Sequence, residues 1–495
     1  MSEVKVIPQE NLIEENLESQ TDPEKAEDSE YRNFKEEPGD DDGENRNPEK
    51  RHSIFLTSML VIKFIIGSGV LNLPQIFKTF GIVWGICFGI FFNATVLFTI
   101  YLLLKSKDIT QRYSLTLFSR MTMGYIGLVL TKFCLIFMRV ATNCAHFITF
   151  SSLIRNIFLA ILGEKSDGFY FNSKFILIVL AILLIPLMFQ KDISGISRFT
   201  HIGIIALGIL FLSTIILFIF KYINGELPPF QTKMLYLNKE ASLSEYFTCF
   251  GAFFDVFIFQ QDTFPLYLPL HPRNTKNMMI AGLIGSIIAT IIYIFFGILG
   301  FLMYQDEIRD SLVRNIGQEL LRFVGNNVFM TTVLVICEFS FTINSGFSSI
   351  LGFYVANRNF IGVLKYIYKK FIFKKKEDEG TQLEEVDDKG IAINKTKKEK
   401  DEIIGPKMQL IITSCFYITV VSLALTTTKI IEFANFNGAT VTNFVCVMSP
   451  AIYYLYFSRK KQFNFLKIVS IGLFIFGFLL IIGFLLFNRE YSFFL

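Results

Sequence analysis

Charge is what this chain has least of. Lys, Arg, Asp and Glu make up 18% of its 495 residues, against about 25% in soluble domains. The charges present are gathered between apolar runs, which excludes an ordinary soluble domain. The net charge of +4 says little about partners, and no nucleic acid is expected among them. Histidine is scarce: His52, His146, His201 and His271 stand at no metal-ligand spacing, so no metal centre is expected. There is no glycine-rich loop closing on Lys-Ser or Lys-Thr, so ATP-driven pumping has no visible engine. No Ser/His/Asp or Cys/His set can be assembled, and the chain reads as no enzyme, with no cofactor. Its seven cysteines all lie in or beside apolar runs, which argues against structural disulfides. The first fifty residues carry no apolar leader, so the first true span is expected to direct insertion.

What the chain has instead is span-length apolar sequence. Hydrophobic residues reach 52%. About eleven runs are long enough to cross a bilayer as helices: 53–77, 81–104, 127–155, 174–190, 198–221, 247–270, 278–303, 328–356, 407–427, 430–457 and 465–487. The fold class is therefore all-α, a polytopic, multi-pass integral membrane protein. Residues 1–52 read as a disordered acidic tail, 53–490 as the membrane unit, and 372–404 as a flexible charged loop within it. Lys105, Lys107, Arg112, Lys191, Arg198, Arg273, Lys276, the basic cluster 369–376 and Arg459 all fall in one alternate set of loops. By the positive-inside rule that set is cytosolic, and so is the N-terminus. Gly81, Gly85 and Gly89 open the second span at intervals of four, the spacing of close helix packing.

Span one carries Gly67-Ser-Gly-Val-Leu-Asn-Leu-Pro74 near its middle. A helix in lipid keeps its backbone bonds unless the break lines a cavity. The glycines either open such a break or let a neighbouring helix approach. Span six repeats the pattern in Phe257-Ile-Phe-Gln-Gln-Asp-Thr-Phe-Pro265. Spans one and six run in opposite directions, and paired broken helices of this kind hold substrates in secondary transporters. The candidate substrate contacts are Ile66, Gly67, Ser68, Gly69, Val70, Phe257, Phe259 and Gln260. Carbonyls freed near Ile65–Gly67 and Phe257–Gln260 would receive an ammonium group, and side-chain selectivity would fall to Phe257, Phe259 and Gln260.

Ionisable groups inside spans are costly and point to function. Lys63 stands about 15 Å into span one at 1.5 Å per residue; it is either a fixed cation in place of a coupling ion or a bond to the broken backbone. Lys132, Arg139, Asn143 and His146 share one face of span three, and Glu338, Thr342, Ser345 and Ser349 one face of span eight. Glu338 is the expected partner of Arg139 or Lys63. Asp255 and Asp262 are the other deep carboxylates. His146 is either a proton relay or a satisfied interior histidine. Lys63, Asp255, Asp262, Glu338 and His146 are thus the candidate coupling residues.

Gly67-Ser-Gly-Val-Leu-Asn-Leu-Pro-Gln-Ile-Phe77 resembles the first-span signature of the amino acid/auxin permease family. Phe259-Gln-Gln-Asp-Thr-Phe-Pro-Leu-Tyr267 is similar to its sixth span, Phe295–Tyr304 to its seventh, and Asn437-Gly-Ala-Thr with Met448-Ser-Pro-Ala-Ile-Tyr-Tyr454 to its tenth. The resemblance covers about 53–487. It implies a LeuT-like fold, five plus five inverted spans and one extra, and transport of amino acids. Two features depart: span eight lacks prolines near its cytosolic end, and Gln260 stands where some branches carry histidine. Lys63 matches the proton-coupled branch, where sodium-coupled branches tend to place asparagine. The expected function is proton-coupled, sodium-independent amino acid transport, at the plasma membrane or a vacuolar or lysosomal membrane. An amino-acid sensor signalling through its cytosolic segments is the alternative. A channel would need a repeated filter, which is not visible.

Overall fold

The computed structural model describes residues 51–162, 168–189, 200–308, 312–378, 405–426 and 435–488. The segments 1–50 and 379–404, the loop residues Lys191 and Arg198, and the side chains of Ser68, His201 and 366–378 lie outside the described residues.

Helices occupy each of the expected runs. The first run is interrupted. Helix α1 (Ile54–Ile65) starts on Ser53, whose hydroxyl accepts the Leu56 N–H, and ends when Ile66 turns to extended backbone. Gly67 is also extended, a 3-10 turn follows at Ser68–Asn72, and α2 (Leu73–Thr110) begins. Gly81 divides α2: its φ is +73°, a conformation that favours glycine. A Cβ there would stand 2.1 Å from the Tyr236 carbonyl oxygen. The three spaced glycines of span two are thus not one packing motif. Gly81 makes the turn. Gly85 admits the Phe77 ring, 2.8 Å from a built Cβ, while Gly89 meets only Ile294 at 3.8 Å.

Helix α3 (Leu115–Leu162) is kinked at Gly124. It is followed by α4 (Ser173–Met188) and α5 (Thr200–Ile223). The sixth run breaks like the first: α6 (Leu243–Phe257) stops at Ile258, a 3-10 turn covers Gln260–Asp262, and the short α7 (Thr263–Tyr267) resumes. Then come α8 (Thr275–Tyr304), α9 (Leu312–Phe323), α10 (Val328–Asp378) and α11 (Pro406–Thr426). The tenth run holds two π-helical turns, Gly438–Thr442 and Phe444–Met448, before α12 (Ser449–Phe457). The last helix is α13 (Phe465–Phe487).

Seven of these stretches are long and apolar enough to cross a membrane by length and composition, and α1 and α4 are shorter apolar helices. The molecule is an all-helical membrane protein. Helix ends run beyond the expected apolar limits at α2, α3 and α10.

The two largest apolar clusters among the described residues organise the helices. One joins Val61 and Ile65 of α1, Phe77 and Phe92 of α2, Phe253 and Phe254 of α6, and Tyr293 and Phe296 of α8, and takes in Leu153 of α3, Leu217 of α5 and Phe341 of α10. The other joins Phe147 of α3, Leu177 and Ala181 of α4, Phe353 of α10 and Tyr417 of α11. The Tyr417 hydroxyl also donates to the Ala181 carbonyl at 2.7 Å. Both broken helices belong to the first core. Helix α9 was not expected. Leu312, Ile316, Leu320 and Phe323 are its buried residues within the first core, spaced as one face of a helix.

Candidate functional site

The two breaks lie against each other. A Cβ on Gly69 would approach Val256 Cγ2 to 2.9 Å, so the first break can touch α6 only through glycine. At Gly67 a Cβ would meet nothing within 4 Å. One glycine therefore serves packing, and the other borders open space beside broken backbone. Ile66, Val70, Phe257, Phe259 and Gln260 are all buried around this point.

The freed carbonyls have a shared partner. On α8 the Tyr293 hydroxyl reaches the Ile65 carbonyl oxygen at 2.6 Å and the Val256 carbonyl oxygen at 3.0 Å. Its ring packs edge-on to Phe257, centroids 5.2 Å apart. Gln260, expected to face a substrate, is engaged elsewhere: its Oε1 accepts the Phe259 N–H at 3.0 Å, and its amide donates to Thr99 Oγ1 on α2 at 3.1 Å. It caps the break rather than opening onto it.

Lys63, near the end of α1, donates to Asn344 Oδ1 and to Ser348 Oγ at 3.0 Å, both on α10. The amine is 2.8 Å from where a Cβ on Gly203 of α5 would stand. Lys63 is thus held by the neighbouring helices and does not bond the broken backbone. His146 is buried, and its Nδ1 has no hydrogen-bond partner among the described residues. Ser345 Oγ and Asn344 Nδ2 are likewise buried and unpartnered there.

The deep carboxylates have three different environments. Arg139 Nη2 donates to Asp262 Oδ1 at 2.6 Å, tying α3 to the second break. Asp255 accepts from Asn437 at 2.8 Å and Thr442 at 3.2 Å, at the π-helical tenth run. Glu338 accepts from Asn156 of α3 at 2.9 Å; its Oε2 is buried and unpartnered among the described residues. The expected pairing of Glu338 with Arg139 or Lys63 is therefore corrected. Arg139 meets Asp262 because the break brings that carboxylate to α3, and Lys63 meets neutral oxygens.

Tyr293, Asn344, Ser348, Gly203 and Asn156 were missed from sequence. A lone tyrosine in an apolar helix carries no signal, and Asn344 and Ser348 could have been found only by asking what faces Lys63.

The pattern that defines the transmembrane amino acid transporter protein family matches residues 50–488. Individual relatives are remote. An amino acid transporter of Arabidopsis thaliana is 23% identical over 52% of this chain and 54% of its own length. Vacuolar amino acid transporter 7 of Saccharomyces cerevisiae is 19% identical over 58% of this chain and 57% of its own. Human solute carrier family 38 member 10 is 22% identical over 56% of this chain and 24% of its own. The chain thus spans about half the length, or less, of the curated relatives it matches. Among solved structures, the Eremococcus coleocola manganese transporter covers 88% of this chain at 13% identity with a TM-score of 0.36. From the family pattern, matched across most of its length, this chain belongs to the transmembrane amino acid transporter family, whose members are transporters and not enzymes.

Proposed function

We propose that this protein moves amino acids across a membrane by alternating access around its two broken helices. The observation that carries this reading is the meeting of both breaks beside Gly67, where broken backbone borders open space. Carbonyls and N–H groups released at such breaks suit the ammonium and carboxylate of an amino acid. Ile66, Gly67, Ser68, Gly69 and Val70 would surround the charged end, with Phe257 and Phe259 shaping the side-chain end. The Tyr293 bonds leave other carbonyls of the breaks, not Ile65 and Val256, for the ammonium. We read the architecture as eleven spans in a LeuT-like arrangement. In its support, α4 and α11 pack with α3 and α10 in a cluster separate from the one that holds both broken helices. The N-terminus would be cytosolic, and the membrane of residence plasma, vacuolar or lysosomal.

For coupling, we take Lys63 as a fixed cation between α1 and α10 that removes the need for sodium. It cannot deliver energy, so a protonatable group must cycle. Glu338 is favoured over Asp255 and Asp262, because one of its oxygens is buried without a partner among the described residues while both aspartates are held by donors; His146, whose Nδ1 is also unpartnered there, is the second candidate. An inward proton would contribute about 2.3 kcal/mol per 100 mV, or roughly fifty-fold accumulation.

Purified protein in liposomes should take up labelled amino acid equally in sodium and choline buffers, faster with acid on the exoplasmic or lumenal side. Glu338→Gln should remove the acid stimulation and leave exchange. Strict sodium dependence, or a Glu338→Gln variant with full acid stimulation, would refute the coupling scheme. Amino acid binding without any flux would favour the sensor reading instead. The transport unit is taken as 53–490, so deleting residues 1–45 should leave flux per folded molecule unchanged; loss of folding in detergent on deletion would contradict this.

A further inference from the structure

We propose that Tyr293 is a positioning residue for transport, its hydroxyl taking the place of a bound cation as the tie between the two broken helices. The inference rests on the reading of the breaks as the transport site. Backbone carbonyls unwound inside a membrane need a partner, since lipid offers none. In broken-helix transporters such carbonyls commonly coordinate an ion. Here the carbonyl of Ile65, from the first break, and that of Val256, from the second, converge on one phenol oxygen at 2.6 and 3.0 Å. The phenol is buried and its ring is fixed against Phe257, so it meets both acceptors in one pose.

A tyrosine hydroxyl has one proton. It lies within hydrogen-bond reach of one carbonyl from each broken helix and donates to one of them at a time. The proton can lie toward either carbonyl, so the tie persists if the breaks shift slightly against each other. A neutral donor also leaves no ion to bind or release during the cycle, in keeping with uptake indifferent to sodium.

The test compares Tyr293→Phe with 4-aminophenylalanine at position 293. The first keeps the ring and removes the donor. The second supplies two N–H donors, one for each carbonyl. Flux per folded molecule is measured in liposomes, and melting temperature in detergent with sodium or choline chloride. The phenylalanine variant should lose about tenfold in flux, the cost of buried acceptors left unpaired. The amino variant should restore most of it. Sodium should not raise the wild-type melting temperature above that in choline.

Three results would overturn the proposal: wild-type flux from Tyr293→Phe, no advantage of the amino variant over phenylalanine, or a sodium-dependent rise in wild-type melting temperature. If the phenylalanine variant does not fold, 4-methylphenylalanine, which has the shape without the donor, takes its place. Comparing the position-293 variants under one set of transport conditions separates this result from failure of the proton-coupling scheme, which is read from the acid and sodium response of wild-type flux and from Glu338→Gln.

Discussion

Replacing Gly67 by valine is expected to lower amino acid uptake about 100-fold while leaving a folded protein in the membrane. The position is extended, with φ −115° and ψ −155°, at the edge of the β region and outside the positive-φ range that demands glycine. A Cβ there meets nothing within 4 Å. The added methyls would therefore occupy the open space beside the breaks, where a substrate would lie. Filling space that must accept a ligand costs about 1–3 kcal/mol in crowding, and each 1.4 kcal/mol is about tenfold. Gly69 behaves differently. Its Cβ would meet Val256 Cγ2 at 2.9 Å, so even Gly69→Ala should push α6 away and lower the melting temperature. Flux in liposomes and thermal stability in detergent, measured on both variants, separate the two roles. Normal uptake by Gly67→Val would remove the substrate site from this break.

Lys63→Ala is expected to cut maximal flux about tenfold or more, with substrate affinity held within about threefold, since a buried and a partly buried hydrogen bond are lost and their partners left unpaired. The amine bonds Asn344 and Ser348, so it links α1, which carries the first break, to α10. Its hydrogen bonds go to α10 and not to the broken backbone, which is why turnover should suffer more than binding. Lys63→Met keeps most of the aliphatic stem and controls for lost volume; it should share the defect. Equilibrium binding set beside liposome flux gives the comparison. Wild-type turnover in either variant, or equal losses of binding and turnover, would count against Lys63 as the fixed cation.

How far the sequence reaches is clearest at particular residues. The run of glycines at 67 and 69 and the polar stretch after Phe257 located both breaks, because a helix in lipid can stop only where its backbone finds other partners. The apolar runs located the helices for the same reason, with length set by bilayer thickness. The one-face spacing of Glu338, Thr342, Ser345 and Ser349 placed all four in the interior, and they are buried.

Partners were another matter. Glu338 was expected against a cation and bonds Asn156. Gln260 was expected at a substrate and bonds Thr99. Gly81, Gly85 and Gly89 share a spacing and do three different things. The sequence by itself determined that this is a helical membrane protein with two interrupted helices, because burial in lipid makes periodicity and backbone satisfaction local requirements. Only the tertiary structure decided that Tyr293 joins both breaks, that Lys63 faces α10 and that Arg139 meets Asp262. Those contacts join positions far apart in the chain, and their geometry depends on how separately formed helices pack, which no local spacing encodes.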